Sequence, residues 1–484
     1  MATTSSGPAP ESWREWLASE QIERSLIFSE RIRRAKRMQY PSEIEPELLR
    51  FLDSANSLIR QQLEELKSDP GFADLPDREA ETQLLRFSIL YTHLCFAAAL
   101  VEGASQTQAV AELAAPLKRT LVPVLGTANL LLHPLPEINY SFLDLGELLN
   151  SVVNEMGLTQ DALPRDLYAV GFPSLQEEWS LMHCIIGHEL GHALYKRFRM
   201  VDKIGPLIRI DEAKINDLVG SIHRDVWGYE ADAHAPVESQ AQLPLGSVQL
   251  RAATYKAVSR VLEYWIEEIC SDGIGLHLFG PAFLLSAISF LANTRGLDYC
   301  SDDHPPARMR FRILFSLLRL RMPVGQSKNG PWSSYQPVLG QHVAAFLDTW
   351  ESLVNAADVG FSNPYHAIAG SAILAVYPRM CARLQKLISQ SLQYDIRQHV
   401  GDIEHLERDI LLSIPPNEVR GGDGMRPAAL ASIFNAGWRA YLGGVQRLAK
   451  ENGWSAWEAK AKLNQWVAKG IELAEVQTRW GEVQ

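Results

Sequence analysis

Residues 188–192, which read HELGH, have the types and the spacing that a metal site needs. On a helix, His188 and His192 at i and i+4 lie on one face, so both imidazoles can reach one ion. Glu189 lies beside that face, where its carboxylate can hold a water molecule and take its proton. The pattern predicts a metal site with Glu189 as general base. Two core histidines satisfied by carboxylates remain the alternative that five residues leave open.

A third metal ligand is predicted on a second apolar helix at residues 262–276, LEYWIEEICSDGIGL. A catalytic zinc site has three protein ligands and one open position. Glu268 fits because Asp272 follows at i+4, where its carboxylate can accept the far N–H of a ligand histidine. Glu267 is the rival ligand, but its own i+4 partner is Ser271, a poorer orienting group. We therefore predict Glu268 as the ligand.

The third element is a histidine that precedes two prolines, His304-Pro305-Pro306. The prolines hold this segment in an extended conformation, and a helix that begins near Pro306 places Arg310 one turn in. Taken alone, the segment is more typical of a turn into a basic helix than of a functional site.

In order and approximate spacing, the three elements together resemble the HtpX-like and CAAX-prenyl-protease group of gluzincin metallopeptidases. The resemblance covers residues 181–313, about a quarter of the chain. It implies that His188, His192 and Glu268 bind one zinc ion per chain. It also implies that Asp272 supports a ligand histidine.

The same resemblance implies a mechanism of peptide hydrolysis. Zinc polarises the scissile carbonyl and lowers the pKa of its bound water, which Glu189 deprotonates before it passes the proton to the leaving amine. His304 approaches the site, where it, or a nearby Tyr or Arg, stabilises the oxyanion, and Arg310 helps to organise the site. The upstream strand Leu167–Pro173 is the best candidate for an edge that pairs with an extended peptide substrate.

The main alternative is a metal-binding interaction or regulatory protein on a peptidase scaffold, either non-catalytic or latent. In the latent case, the metal site is blocked until an activating protein partner binds. The intact Glu189 favours catalysis, because a purely structural site needs no carboxylate there.

Cys184 shares a helix face with His188, but a fourth ligand would close the site, so we interpret this thiol as core packing. His223 and His234 lie in a polar stretch that we interpret as a loop over the cleft rather than as a second metal site.

Composition sets the broad class of the protein. The chain has 484 residues, 46 Lys plus Arg, 57 Asp plus Glu and a net charge of −11, with 46% hydrophobic residues. These values are typical of a soluble globular protein, and the acidic balance argues against nucleic-acid binding. The odd number of cysteines without a CxxC pair and the absence of a secretory signal predict reduced thiols in a cytoplasmic protein. The cysteines are Cys95, Cys184, Cys270, Cys300 and Cys381.

Hydrophobic periodicity predicts a mainly α (α+β) fold with a small sheet and helical terminal regions. The resemblance implies that the core is of the helical gluzincin type. The apolar stretch Gly273 to Ala292 predicts a buried core helix broken near Pro281 rather than a membrane span. The predicted regions are 1–77, a tail with helices; 78–325, the metallopeptidase core; and 326–484, a helical C-terminal region. The predicted strands are 121–126, 139–145 and 167–173. The predicted loops are 235–247, 323–338 and 414–427.

Overall fold

A computed structural model describes most of the chain, and its described residues form nineteen α-helices and five short strands, so the mainly α prediction is confirmed. The described residues are 12–105, 110–125, 129–158, 166–227, 245–294, 296–322, 330–361, 363–388, 392–422 and 424–483. The predicted N-terminal tail, His234, most of the predicted loop at 235–247 and residues 323–329 of the predicted loop at 323–338 lie outside them. Two loop predictions are wrong within the described residues: the rest of 323–338 contains helical turns at Trp332–Tyr335 and Gln336–Leu339, and His223 lies on the helix Glu212–Trp227.

The chain divides into two compact units, Met1–Glu177 and Glu178–Gln484. The sequence predicts boundaries elsewhere, after residues 77 and 325. The division differs because the helices on either side of residue 77 share one apolar core, into which Leu52 and Leu94 are both buried.

The N-terminal unit combines helices with a three-stranded sheet. Its helices are α1 (Trp13–Ala35), α2 (Ile44–Ser68), α3 (Pro70–Asp74), α4 (Asp77–Gly103), α5 (Ala111–Leu125) and α6 (Leu145–Met156). Its strands are β1 (Asn129–Leu135), β2 (Ser141–Asp144) and β3 (Leu167–Pro173). The sheet order is β1–β3–β2, with β1 parallel and β2 antiparallel to β3.

The predicted strand at 121–126 is wrong, because its residues up to Leu125 end helix α5. Leu113, Leu117, Leu121 and Leu125 recur every fourth residue and are all buried, so one helix face outweighs the local strand propensity. The strand that the sequence analysis missed is β1. Its run of three leucines pairs in parallel with β3, as buried parallel strands do.

Strand β3 was predicted at the right residues, but its predicted role as a free edge is wrong. It is the central strand of its sheet, with β1 on one side and β2 on the other. Both of its hydrogen-bonding edges are therefore occupied, and every one of its residues is buried. An extended peptide cannot add to β3 without displacing a neighbouring strand.

The C-terminal unit is almost entirely helical. Its helices are α7 (Ile186–Arg197), α8 (Met200–Ile204), α9 (Glu212–Trp227), α10 (Leu245–Phe279), α11 (Pro281–Thr294), α12 (Ala307–Arg321), α13 (Gln336–Leu339), α14 (Gln341–Asn355), α15 (Pro364–Leu374), α16 (Tyr377–Leu387), α17 (Val400–Leu411), α18 (Leu430–Asn452) and α19 (Ala456–Val483). The predicted loop at 414–427 contains a short antiparallel hairpin of β4 (Glu418–Gly421) and β5 (Gly424–Pro427).

The predicted break in the long apolar stretch is confirmed. Helix α10 ends at Phe279, Gly280 adopts a positive φ of 61°, and α11 begins at Pro281. Glycine reaches that conformation without a Cβ clash, and proline fits the first turn of the helix that follows. In the described residues, α4 alone is long and apolar enough to cross a membrane, and a core helix of a soluble protein passes the same test.

Helices α7 and α10 approach each other closely because α7 presents glycine at its contact face. A Cβ on Gly191 would lie 2.6 Å from Ser271 Cα and 2.8 Å from Ser271 O. A Cβ on Gly187, one turn earlier, would lie 3.2 Å from Gly275 Cα. Backbone atoms cannot move aside as a flexible side chain can, so these glycines set the distance between the two helices that carry the predicted site.

We expect Gly191→Ala to destabilise the protein by about 1–3 kcal/mol, because the added methyl group overpacks the α7–α10 contact. The melting temperature of the full chain should fall by several degrees. Gly401→Ala is the control, since nothing lies within 4 Å of a Cβ there. A melting temperature for Gly191→Ala equal to that of Gly401→Ala would contradict the tight packing.

Candidate metal centre

Helix α7 carries both histidines of the HELGH segment, one turn apart. Their rings meet edge to face with centroids 4.8 Å apart, and the two Nε2 atoms lie 3.2 Å from each other. His188 is buried and His192 is mostly buried. The i, i+4 placement that the sequence predicts is therefore the one that the helix produces.

Glu268, on helix α10, reaches the same point from the other side. Its Oε2 lies 3.3 Å from His188 Nε2, and its Oε1 lies 3.5 Å from His192 Nε2. One ligand atom from each of the three residues lies within 4.8 Å of the others, and no other such group of at least three His, Cys, Asp or Glu occurs in the described part of the chain. This buried cluster could hold a metal ion.

Two further carboxylates orient the histidines through contacts with their Nδ1 atoms. Asp272 Oδ1 lies 2.9 Å from His188 Nδ1, which is the kind of contact that the sequence predicts for Asp272. Glu267 Oε1 lies 2.9 Å from His192 Nδ1, so the rival ligand occupies an orienting position. When each Nδ1–H donates to its carboxylate, the Nε2 lone pairs are directed at the common point.

The role of Glu267 was missed, although a signal for it existed. On sequence alone, Glu267 and Glu268 compete for one ligand position, and each is judged by its own i+4 partner. Two ligand histidines need two acceptors, and adjacent helix positions differ by about 100° in direction. Glu267 and Glu268 can therefore serve one cluster in different positions.

Arg310 lies in the first turns of helix α12 and ties Asp272 in place. Its Nε donates to Asp272 Oδ2 at 2.7 Å and its Nη2 donates to Oδ1 at 2.7 Å, a bidentate pair. Its Nη1 lies 3.3 Å from Glu268 Oε2. The helix begins at Ala307, directly after Pro306, as the sequence predicts. Arg310 thus contacts both acidic groups, and its Nη2 also lies 3.4 Å from His188 Nδ1.

His304 lies at the rim of the cluster. Its Nε2 is 3.9 Å from Glu268 Oε1, and its side chain is 44% exposed. Ser301 holds this histidine, because its Oγ accepts from the His304 backbone N–H at 3.1 Å and lies 3.4 Å from the ring Nδ1. The structure therefore places His304 beside the cluster, with one ring nitrogen towards it.

Glu189 is buried next to the histidines. Burial raises the pKa of its carboxyl group, and the neighbouring His188 and His192 oppose that rise. A carboxylate whose proton affinity is raised by burial is suited to take a proton and return it. This is the electrostatic position that a general base needs.

Charge in the cluster favours a divalent cation. Glu189, Glu268 and Asp272 are buried, and Arg310 is the one buried arginine or lysine among the described residues that forms ion pairs in the cluster, with Glu268 and Asp272. When both histidines are neutral, as metal ligands are, and all three carboxylates are ionised, two negative charges remain in excess, which a divalent cation balances. In addition, Glu268 Oε2 is buried and lies 3.3 Å from both His188 Nε2 and Arg310 Nη1, contacts too poor in geometry to count as hydrogen bonds.

The carboxylates of Glu268 and Asp272 give His188 a high affinity for a proton. Burial alone lowers its pKa, but the charge of Glu268 and the hydrogen bond to Asp272 outweigh burial and raise the pKa to about 10. Burial raises the pKa of the Asp272 carboxyl group, but the charge of Arg310 and its hydrogen bonds outweigh burial and lower that pKa. Metal binding would displace the His188 proton, as it does wherever imidazole is a ligand.

Cys184 does not belong to the cluster. Its thiol is fully buried and burial raises its pKa, so it has the properties of a core side chain. All five cysteines are free thiols, as the sequence predicts.

We expect Glu267→Gln to weaken zinc binding by about 10- to 100-fold, because the amide still accepts from His192 Nδ1 but lacks the charge that strengthens the ligand. Competition with a chelating dye measures this affinity. Glu263→Gln is the control, since Glu263 is exposed one turn earlier on the same helix. Equal affinities for the two variants would contradict the orienting role of Glu267.

A comparison of the chain with protein-family models, with curated proteins and with solved structures finds no match in any of the three. The functional interpretation therefore depends on the residues and the geometry of the cluster.

Proposed function

We propose that this chain is a zinc-dependent metallopeptidase in which His188, His192 and Glu268 hold the metal ion and Glu189 is the general base. The observation that carries the proposal is the buried cluster of three ligand atoms from these residues, with a carboxylate of raised pKa beside it. Two imidazoles and one carboxylate form a ligand set typical of catalytic zinc sites that keep a position open for water.

The outer groups support a catalytic site rather than a merely structural one. Each ligand histidine has its own carboxylate at Nδ1, and Arg310 fixes one of those carboxylates with two hydrogen bonds. A purely structural site has no use for Glu189, which is not among the three clustered ligands and yet is buried beside them. Burying a carboxylate without a role would cost stability.

The chain's own residues have separable tasks in peptide hydrolysis. When bound, zinc supplies a Lewis acid that polarises the scissile carbonyl and acidifies water. The Glu189 carboxylate takes a proton from the attacking water and delivers it to the nitrogen of the leaving amine. His304, with Nε2 towards the cluster, donates a hydrogen bond to the carbonyl oxygen as negative charge develops on it.

The proposed substrate is a protein or peptide, and the proposed location is the cytoplasm. Both follow from the resemblance of the motifs and from the reduced cysteines. The substrate does not pair with β3, because both edges of that strand are occupied.

Metal removal tests the proposal on the purified full chain. The protein is incubated with a complex peptide mixture before chelation, after chelation and after zinc is restored, and new peptide ends are counted by mass spectrometry. We expect cleavage to disappear with the metal and to return with zinc. Cleavage that survives removal of all bound metal, or no cleavage by fully zinc-loaded protein, would contradict the proposal.

A further inference from the structure

A second cluster of reactive side chains lies in the C-terminal unit, separate from the metal ligands. Cys300 Sγ lies 3.3 Å from His366 Nδ1, and Asp302 Oδ1 lies 2.9 Å from His366 Nε2. Cys300 and Asp302 belong to the segment between α11 and α12, and His366 belongs to helix α15. A thiol, an imidazole and a carboxylate are thus joined in a row.

The order of the three groups determines which atom donates and which accepts in each contact. Ionised Asp302 only accepts hydrogen bonds, so His366 donates Nε2–H to it. The ring's other nitrogen, Nδ1, is then an acceptor and faces the thiol of Cys300. An imidazole in that position can take the thiol proton and leave a thiolate, with the carboxylate stabilising the imidazolium that results.

The same geometry excludes a shared metal ion. The thiol and the carboxylate lie at opposite nitrogens of the His366 ring, so the three groups cannot converge on one point. This differs from the cluster of His188, His192 and Glu268, whose ligand atoms face one another. Activation of a nucleophile is the chemistry that a row of this kind supports.

Aromatic side chains pack against the imidazole of His366. Trp265, which is fully buried, lies against His366 with ring centroids 5.4 Å apart, and Phe361 stacks on the same indole at 6.2 Å. The indole Nε1–H of Trp265 also donates to the backbone oxygen of Ser301 at 3.0 Å. Helix α10 is therefore hydrogen-bonded to this segment at Ser301, the residue between Cys300 and Asp302.

Cys300 also differs from the other buried cysteines in exposure. It is 8% exposed, whereas the remaining three are 2% exposed or less. Its neighbours in the segment, Tyr299 and Asp302, are well exposed. The three less accessible thiols are Cys184, Cys270 and Cys381.

We propose that Cys300, with His366 as its base and Asp302 as the group that orients that base, is a reactive thiol that takes small carbon electrophiles. In the reaction, Sγ forms a bond to the electrophilic carbon, the leaving group departs with its bonding electrons, and the thiol proton passes to His366 Nδ1. The site requires no metal ion and is independent of the proposed peptidase activity.

Alkylation kinetics of the full-length protein test this site. The chain is treated with a low concentration of iodoacetamide, and the labelled fraction of each cysteine is followed by peptide mass spectrometry. We expect Cys300 to be labelled before Cys184, Cys270 and Cys381. Labelling of Cys300 no faster than that of these three internal references would overturn the proposal.

Variants separate activation from simple access. We expect Asp302→Asn and His366→Gln each to slow labelling of Cys300 by at least about threefold, whereas Asp303→Asn, the adjacent exposed carboxylate, leaves the rate unchanged. Asp302 has an exposed side chain, so its variant should fold even if the His366 variant does not. An unchanged or faster rate in Asp302→Asn would show that exposure alone governs the thiol and would overturn the proposal.

Discussion

Replacing Glu189 by glutamine is expected to lower kcat/KM for peptide hydrolysis by about 10²- to 10⁴-fold, because the amide cannot take the proton of the attacking water. The side chain keeps its size, and it is not one of the three clustered ligands. Zinc content should therefore stay at the wild-type level. Cleavage of a peptide substrate and metal analysis of the same preparation measure the two quantities.

The matched control for Glu189→Gln is Glu178→Gln, a glutamate in the same unit whose side chain is exposed. It should hydrolyse the peptide as fast as the wild type does. A zinc-loaded Glu189→Gln protein with wild-type kcat/KM would exclude Glu189 as the general base. Loss of both zinc and activity would instead assign this carboxylate to metal binding.

The second large effect is expected for Glu268→Gln. Glu268 contributes a carboxylate that lies 3.3 Å and 3.5 Å from the Nε2 atoms of His188 and His192, and its charge also faces Arg310. The substitution removes the one anionic member of the cluster and leaves the buried guanidinium of Arg310 with Asp272 as its remaining carboxylate partner. We expect zinc affinity to fall by more than the roughly 10- to 100-fold expected for an outer carboxylate, and peptidase activity to fall with it.

Glu267→Gln is the matched control for this experiment, since the two glutamates are adjacent on one helix and undergo the same chemical change. Chelator competition ranks their effects directly. Glu268→Gln should be the more severe variant. The reverse ranking would make Glu267 the ligand and Glu268 the orienting group, which is the alternative that the sequence leaves open.

Much of the fold was predictable because hydrophobic spacing is a local property. The helical face of α2, the break at Gly280 and the position of β3 all follow from residues within a few positions of one another. The failures arose where a local pattern had two interpretations. Residues 121–125 have strand-like composition, and only the recurrence of leucine over the preceding twelve residues identifies them as helix.

The candidate site was predictable to the extent that spacing along one helix places side chains. His188 with His192, and Glu268 with Asp272, each lie at i and i+4, and the structure brings the four together. Contacts between distant segments have no such signal. Residue spacing does not relate Cys300 to His366, 66 positions later, and only the packing of α15 beside Trp265 brings them together.

The requirement for glycine at position 191 comes from helix packing and cannot be recognised from the HELGH segment alone. Gly191 belongs to the HELGH segment, yet neither catalysis nor metal binding requires glycine there. The need for it comes from Ser271 on α10, whose backbone lies where a Cβ would be. The absence of a Cβ at position 191 therefore allows the helix that carries the histidines to lie close to the helix that carries Glu268.

The most direct measurement of the central claim is mass spectrometry of new protein N-termini in a cell lysate incubated with wild-type protein or with Glu189→Gln. Both proteins are first loaded with zinc to the same content. We predict N-termini that appear with the wild type and not with the variant, and the residues around them would define the cleavage preference. Identical sets of N-termini from the two proteins would contradict a constitutively active metallopeptidase.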